Sequence, residues 1–250
     1  MAQLELHNIA KSYGTNHVLD AISLTVGDGE FVSVLGPSGS GKSTIFQLIG
    51  GLYPPDSGTI SLDGTVVNGS RGHISYMPQS PALFPWRTVL QNVQLSAEIA
   101  GTAQDTEKTL GLIQSAGLAG YEHAYPGELS GGMKQRVSFI RSLNAPQPII
   151  CLDEPFSALD EFTRLEMQQW LLSIWEANRK SILFITHDID EALFLSDRIL
   201  VLSNKPAVVK RDLTVPFARP RSEELLLSEE FLQLKRDIYD DLRKEIHSSN

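Results

Sequence analysis

The sequence predicts an α/β fold with a mixed, mainly parallel core sheet, a small antiparallel β lobe and an inserted helical subdomain. In the C-terminal half, apolar runs alternate with helical stretches, which is typical of a parallel sheet covered by helices. Short strands dominate the first part of the chain, and apolar residues recur at helical spacing in the middle. The later strands are predicted at 148–152, 181–185 and 198–202, the helices between them at 159–177 and 188–195, and the middle helical block at about 88–143.

The N-terminal part is predicted to consist of short strands around one early helix. A turn near Gly14 separates the first two strands, in which apolar residues alternate or run together. Turn-forming residues at 54–58 end the helix. The predicted strands are Leu4–Ile9, Val18–Val26, Phe31–Leu35, 59–63 and 73–77, and the predicted helix runs from about 42 to 52.

The length of 250 residues and the mass of 27.6 kDa predict a single domain over 1–250. Within it, about 88–145 is expected to form the inserted helical subdomain, and about 205–250 a C-terminal strand and helix extension. A tail helix from Ser228 would carry an apolar stripe, with acids in its first turn and bases near its end. We expect this helix to pack on the domain rather than to bind a partner. The stripe consists of Phe231, Leu234, Ile238, Leu242 and Ile246.

Composition argues against several classes of protein. Lys and Arg number 21 against 30 Asp and Glu, and a net charge of −9 is unsuited to binding nucleic acid through phosphate neutralisation. Cys151 is the single cysteine, which excludes an intrachain disulfide, and we interpret it as a small buried apolar residue. No signal peptide pattern and no apolar run of roughly 18 residues is present, so other chains would have to cross a membrane.

A glycine-rich loop follows the third predicted strand and matches the pattern G-x-x-x-x-G-K-[ST]. Its glycines let the backbone wrap around phosphate oxygens, and the next helix offers its N-terminal amides to the same anion. We therefore expect the phosphates of a nucleotide to bind here, with Lys42 reaching the β- and γ-phosphates and the Ser43 hydroxyl binding Mg²⁺. The loop consists of Gly36, Pro37, Ser38, Gly39, Ser40, Gly41, Lys42, Ser43 and Thr44.

Asp153 and Glu154 end a predicted apolar strand. Ligands of parallel sheets lie beyond the carboxyl ends of strands, so Asp153 is expected beside the phosphate loop, where it can hold Mg²⁺ through its water shell. Glu154 points differently and can orient or deprotonate an attacking water. An acidic strand end alone is a weak signal, but downstream of a phosphate loop it becomes a strong one.

The segment Leu129–Arg136, LSGGMKQR, opens a predicted helix with small residues. Ser130 and the amides of Gly131 and Gly132 form a second anion site at the helix N-terminus. With this segment the sequence resembles the ATP-binding cassette (ABC) ATPases, a group of P-loop NTPases, over nearly its whole length. The resemblance implies that the segment completes the nucleotide site of a second ABC subunit. Two copies of the chain are therefore expected to close around two ATP molecules.

Other positions match this family in order. Gln79 is similar to the glutamine that reaches Mg²⁺ and the attacking water, and His187 to the histidine that contacts the γ-phosphate. Tyr13 resembles the aromatic residue that stacks on adenine, and Ser157–Asp160 the loop that contacts the other subunit. The implied catalytic residues are Lys42, Gln79, Glu154 and His187, and the implied metal ligands are Ser43, Gln79 and Asp153.

Two segments, 83–89 and 190–198, are similar to importer ATPases of the nitrate, sulfonate and taurine group. That group also includes transporters of pyrimidine precursors of thiamine. The resemblance implies an ATPase, peripheral on the cytoplasmic face of the inner membrane, that powers uptake of a small solute. Residues 79–93 would face integral membrane permease subunits, with a solute-binding protein as an indirect partner and no nucleic acid. Trp86 is either a permease contact or a local core residue, and the sequence favours neither.

The alternative function is that of a non-transport ABC ATPase of DNA repair or translation. The repair class carries a long coiled coil between the phosphate loop and the acidic strand, for which this chain has no room. The translation class usually carries two cassettes, whereas each motif occurs once here. A nucleotide kinase would share the phosphate loop but not the LSGG segment. The solute is bound by partner proteins, so it leaves no trace in this sequence.

Overall fold

The computed structural model describes the backbone of residues 3–247 and the side chains up to Glu245. The chain forms two compact units. The first is built from the chain up to Ile74 and from Ser181 onward, and the second from Ser75–Lys180. Within the described residues, the helices are too short or too polar to span a bilayer.

The elements follow one another in the order that the sequence predicts. The strands are β1 (Leu4–Tyr13), β2 (Asn16–Val26), β3 (Phe31–Leu35), β4 (Ser57–Leu62), β5 (Thr65–Val66), β6 (Ser75–Met77), β7 (Ile149–Asp153), β8 (Ser181–Thr186), β9 (Arg198–Leu202) and β10 (Val209–Thr214). The helices are α1 (Lys42–Ile49), α2 (Val89–Ile99), α3 (Thr106–Ser115), α4 (Gly131–Asn144), α5 (Glu161–Asn178), α6 (Ile189–Leu195) and α7 (Glu229–His247). Short 3₁₀ helices lie at Pro126–Glu128 and Glu223–Leu227.

The first unit contains a small antiparallel sheet and a larger, mainly parallel one. The antiparallel sheet has the order β2-β1-β4-β5, and bulges interrupt the pairing of β1 with β2. In the larger sheet β3 lies between β9 and β8 and is parallel to both, whereas β10 is antiparallel to β9. β3 and β8 are buried along their whole length, which explains their continuous apolar sequences.

The tail helix α7 packs on the first unit, as predicted. Phe231 and Ile238 are buried in one cluster with Leu35, Leu193 and Val201. The Ser228 hydroxyl accepts a hydrogen bond from the Phe231 amide at 3.2 Å, so it caps the helix as the sequence predicts. Of the predicted stripe, Leu234 and Leu242 lie partly buried against this cluster, and Ile246 lies outside the residues whose side chains are described.

The second unit combines the parallel pair β6–β7 with helices α2, α3, α4 and α5. A capping box formed by Thr88 and Gln91 starts α2, and Asp160 caps α5 by accepting a hydrogen bond from the Thr163 amide. Cys151 is fully buried on β7, and burial raises the pKa of its thiol, so it behaves as the small apolar residue that was predicted. Trp175 on α5 is also fully buried.

Several element ends differ from the sequence prediction, and β1, expected to end at Ile9, runs on to Tyr13. The helix expected to reach residue 52 ends at Ile49, and Gly51 follows with a positive φ of 69°. A Cβ on Gly51 would lie only 2.2 Å from the Ser70 carbonyl oxygen, so this turn requires glycine. The strand expected over 73–77 is shorter and begins at Ser75.

Candidate functional site

The phosphate loop connects the buried end of β3 to the N-terminus of α1. Gly41 occupies the cap position with φ 108°, supplies no side-chain cap, and is followed by a first turn without acidic residues. The positive end of the helix dipole is therefore not neutralised by a carboxylate of its own first turn. This arrangement favours an external anion at the helix start.

Close packing under the loop requires glycine at Gly41. A Cβ there would lie 2.9 Å from both Val18 Cγ1 and Leu19 Cδ2, which are carried by β2. Gly36 is also tightly placed, because its Cβ would lie 3.1 Å from Leu202 Cβ. The backbone of the loop is therefore held against strands of two sheets, while Ser38, Gly39 and Ser43 are exposed.

Two polar side chains inside the loop indicate that it is shaped for phosphate. Lys42 is 6% exposed, and its Nζ donates hydrogen bonds to the carbonyl oxygens of Gly36 at 2.8 Å and Pro37 at 2.9 Å. The buried Ser40 hydroxyl has no hydrogen-bond partner among the described residues. An unpartnered buried hydroxyl is unfavourable, and a phosphate oxygen or its bound water would satisfy it. Ser43, in the first turn of α1, is exposed. The loop residues thus fit a nucleotide phosphate with an attendant cation.

His187 lies at the same sheet edge as the phosphate loop. Leu35 on β3 pairs with Thr186 on β8, so Gly36 and His187 follow directly from neighbouring parallel strands. His187 is exposed, and Asp188 after it caps α6 by accepting hydrogen bonds from the amides of Asp190 and Glu191.

Tyr13, the last residue of β1, is 40% exposed in the same unit. Its hydroxyl donates to Gln47 Oε1 on α1 at 3.4 Å. Its ring meets Tyr53 edge to face, with ring centroids 6.1 Å apart. The structure therefore places Tyr13 in contact with α1, the helix that follows the phosphate loop.

In the second unit, Gln79 and the acidic pair emerge from paired strands. Met77 on β6 pairs with Leu152 on β7, so Asp153 and Glu154 lie at the edge where the chain runs on to Gln79. Tyr76 donates a hydrogen bond from its hydroxyl to Asp153 Oδ2 at 2.9 Å. Burial and the Asp153 charge raise the pKa of Tyr76, so its hydroxyl keeps the proton that it donates.

A chain of hydrogen bonds joins Gln79 to the backbone of Glu154. Gln79 Nε2 donates to the Ser157 hydroxyl at 2.9 Å, and this hydroxyl donates to the Glu154 carbonyl oxygen at 2.9 Å. Gln135 on α4 donates to the Gln79 carbonyl oxygen at 3.3 Å. Glu154 itself adopts φ 42°, a left-handed conformation that is unfavourable for a residue with a Cβ and occurs preferentially at functional sites.

The LSGG segment forms the start of α4. The Ser130 hydroxyl accepts a hydrogen bond from the Met133 amide at 3.2 Å and so caps the helix. Together with the loop Ala158–Asp160, the segment lines an open cavity of about 490 Å³. Neither Gly131 nor Gly132 has a positive φ, and beyond its chain neighbours and its own helix backbone a Cβ on Gly131 would meet no described atom within 4 Å. Nothing in the described chain therefore requires glycine at position 131.

Comparisons with known proteins decide the family. Residues 19–157, more than half of the chain, match the family model described as ABC transporter. The chain belongs to the ABC transporter family. This ABC protein is 45% identical over 218 residues to the aliphatic sulfonates import ATP-binding protein SsuB 1 of Rhodococcus jostii, covering 87% of this chain and 85% of the relative. It is 40% identical over 240 residues to the formylaminopyrimidine import ATP-binding protein ThiZ of Halalkalibacterium halodurans, covering 94% of each.

A solved structure extends the likeness to three dimensions. The dimeric ATP-binding cassette MJ0796, in a post-hydrolysis state bound to ADP and Pi, matches this chain with a TM-score of 0.72 and 31% identity. The match covers 86% of this chain and 100% of that one. The predicted P-loop ABC ATPase fold and the predicted family are thereby confirmed. As an ABC transporter ATPase, the chain binds ATP and works with transporter partners at a membrane.

The second unit of this ABC ATPase presents one residue that the sequence left open. Trp86 is 69% exposed and stacks on Phe84 with ring centroids 5.1 Å apart, so its interpretation as a local core residue is wrong. Asn92 is fully buried and binds the loop that carries Trp86, accepting from the Phe84 amide and donating to the carbonyl oxygens of Phe84, Arg87 and Thr88. The loop therefore holds an exposed aromatic side chain on a well-fixed backbone.

Tyr76 is the site residue of this ABC ATPase that sequence reasoning missed. A tyrosine inside a short strand is usually a packing residue, and its hydroxyl partner lies 77 positions along the chain. The available signal was the parallel pairing of two strands that both end in candidate residues. Tyr76 pairs with Cys151, whose side chain shares a face with that of Asp153.

Proposed function

We propose that this chain is the ATP-hydrolysing subunit of an importer for a small solute, of the nitrate, sulfonate or taurine type or a pyrimidine precursor of thiamine. The names of the relatives SsuB 1 and ThiZ support import as the direction of transport. The proposed chain is a single cassette with a helical subdomain at about 88–145 and an extension at about 205–250. It lies peripherally on the cytoplasmic face of the inner membrane and works as a dimer, most simply with a second copy of itself.

One observation carries the dimeric part of this proposal. Gly131 opens α4 although the described chain leaves room for a Cβ there, and glycine weakens a helix by up to about 1 kcal/mol relative to alanine. Unlike Gly111 in the interior of α3, Gly131 lines the open cavity at the capped N-terminus of α4, where its missing side chain leaves the backbone accessible to another molecule. A triphosphate held by the partner copy is the anion that the capped N-terminus of α4 suits.

The proposed reaction is attack of water on the γ-phosphate of ATP, which breaks the bond between the γ-phosphorus and the oxygen of the β-phosphate and releases ADP and inorganic phosphate. Lys42 and the loop amides bind the phosphates, Tyr13 stacks on the base, and Glu154 takes a proton from the attacking water. His187 contacts the γ-phosphate, and Gln79 orients the water. Mg²⁺, held by Ser43, Gln79 and Asp153, would neutralise the charge that develops on the phosphate oxygens.

We also propose that residues 79–93 bind the permease subunits, which a solute-binding protein supplies with solute. Trp86 supports this, because large exposed aromatic side chains on a fixed backbone are typical anchors of protein interfaces. The hydrogen bonds of Gln79 to Ser157 and of Gln135 to Gln79 would link such an interface to the acidic strand end. The relatives reported above give no support to the repair or translation alternative.

Co-purification with the membrane proteins encoded nearest to this chain tests the transporter assignment. The tagged chain should retain a permease in detergent, and Trp86→Ala should reduce this retention at least tenfold. Tyr239→Ala is the matched control, since Tyr239 is 58% exposed on α7 and lies outside the proposed interface. Equal retention of the permease by parent and Trp86→Ala would refute the role of this residue. Vesicles that contain the complex and the solute-binding protein then identify the solute by ATP-dependent uptake.

A further inference from the structure

Asp56 fastens the end of β1 through both of its carboxylate oxygens. Oδ1 accepts a hydrogen bond from Lys11 Nζ at 2.7 Å, and Oδ2 accepts one from the Ser12 amide at 2.7 Å. The Asp56 amide donates to the Ala10 carbonyl oxygen at 2.9 Å, and Lys11 Nζ also donates to the Pro54 carbonyl oxygen at 2.9 Å. The two residues immediately before Tyr13 are thus bound to the turn that follows α1.

This clamp also reaches the Tyr13 ring itself. Lys11 is 9% exposed, and its Nζ lies 5.7 Å from the centroid of the Tyr13 ring, within the range of cation–π attraction. Tyr53 on the fastened turn meets the same ring edge to face. Tyr13 is the last residue before a hairpin turn at Gly14, where a strand would otherwise fray, so these contacts hold the ring in place.

The Asp56 carboxylate of the clamp is ionised near neutral pH. The hydrogen bonds from Lys11 and from the Ser12 amide lower the pKa of Asp56 below its usual value, so the carboxylate is ionised there. An ionised carboxylate that accepts two short hydrogen bonds is a stronger tie than a neutral acceptor.

We propose that Asp56 and Lys11 are positioning residues that hold Tyr13 ready to stack on the adenine base, so that they contribute to recognition of the base and not of the phosphates. This inference rests on the proposed function, in which Tyr13 binds adenine. A ring fixed before the nucleotide arrives loses less conformational freedom on binding, and that difference appears as affinity. The phosphates are bound by the loop, so their affinity does not depend on the clamp.

The test compares a ligand with a base and a ligand without one. Dissociation constants of ATP and of inorganic tripolyphosphate are measured by calorimetry for the parent, Asp56→Asn, Lys11→Met and Tyr13→Ala. Asparagine offers one oxygen instead of two, so either Lys11 or Ser12 loses its acceptor. We expect Tyr13→Ala to weaken ATP binding about 5- to 150-fold, the range typical of base stacking on an aromatic ring. Asp56→Asn and Lys11→Met should weaken it by about 3- to 10-fold, as partial loss of that ordering implies.

Tripolyphosphate affinity should stay within twofold of the parent in all three variants. Asp241→Asn is the matched control, because Asp241 forms an ion pair with Arg211 at 2.8 Å in the same unit and is similarly exposed. It should change neither affinity. In a Tyr13→Ala background, Asp56→Asn should cause no further loss of ATP affinity, because its effect passes through the ring.

Three results would overturn the inference. These are equal losses for ATP and tripolyphosphate, unchanged ATP affinity in Asp56→Asn, and additive losses in the double variant. If Asp56→Asn does not fold, as judged by thermal unfolding, Lys11→Met carries the same comparison. A parent chain that binds no ATP would instead refute the proposed function, so the two failures are distinguishable.

Discussion

Replacing Gly131 with alanine should make the chain more stable and less active. Beyond its chain neighbours and its own helix backbone, the added Cβ would meet no described atom within 4 Å, and Gly131 has no positive φ, so no clash or backbone strain opposes it. Alanine favours a helix over glycine by up to about 1 kcal/mol. For a chain of this size that corresponds to a rise in melting temperature of about 2–4 °C. If a partner-bound phosphate must approach this amide closely, the methyl group should lower ATP hydrolysis at least about tenfold, which corresponds to about 1.4 kcal/mol.

The assay compares this variant with one that makes the same change elsewhere. Gly111 lies inside α3, is exposed, and also has open space around an added Cβ among residues 3–247. Gly111→Ala should therefore raise the melting temperature in the same way and leave the rate of phosphate release unchanged. Thermal unfolding and steady-state phosphate release are measured on both variants at the same protein concentration. Full hydrolysis by Gly131→Ala, with its stability raised, would refute the shared-site reasoning.

The remaining predictions concern the residues of the proposed reaction and one partly buried lysine, Lys180. Lys42→Ala should abolish measurable ATP binding by calorimetry, and unchanged affinity would contradict the phosphate-loop assignment. Glu154→Gln should bind ATP, stop turnover and accumulate an ATP-bound dimer in size-exclusion chromatography; hydrolysis at the parent rate would rule out Glu154 as the base. Ser130→Arg should impair hydrolysis but leave ATP binding by the monomer intact, and full activity would count against a composite site. Burial lowers the pKa of Lys180 from 10.5 to about 8, so between these pH values the folded chain binds fewer protons than the unfolded chain and gains stability as pH rises. The free energy of unfolding, measured with urea at about pH 8 and at pH 10.5, should rise less in Lys180→Met than in the parent. An equal rise with pH in both proteins would refute this prediction.

Elements dictated by local patterns were predictable from the sequence. The buried strands β3 and β8 are continuous apolar runs, and the spacing of the glycines and the lysine predicts the phosphate loop. The end of α1 was predicted three residues too late, because the local pattern does not show that Gly51 must turn against the Ser70 carbonyl. The order of helices and strands can be predicted from patterns among neighbouring residues. The ends of the elements depend on contacts with residues far away in the sequence.

Side-chain partners in the candidate site were beyond the sequence for the same reason. The hydrogen bond from Tyr76 to Asp153 and the tie from Lys11 to Asp56 join residues 77 and 45 positions apart. No local periodicity encodes either pairing, since each depends on strand register. The exposure of Trp86 was equally open, because it follows from how Asn92 folds the preceding loop.

The left-handed backbone at Glu154 has a consequence for the engineering of a more thermostable variant of this protein. A residue with a Cβ at φ 42° lowers the stability of the fold by on the order of 1–3 kcal/mol. A search for stabilising substitutions would therefore select this position for glycine. The same search would select Ala21 at φ 49°, which has no proposed role in the reaction or in an interface. Glycine at position 21 should raise the melting temperature without lowering turnover, whereas glycine at position 154 would give a more stable chain that no longer hydrolyses ATP.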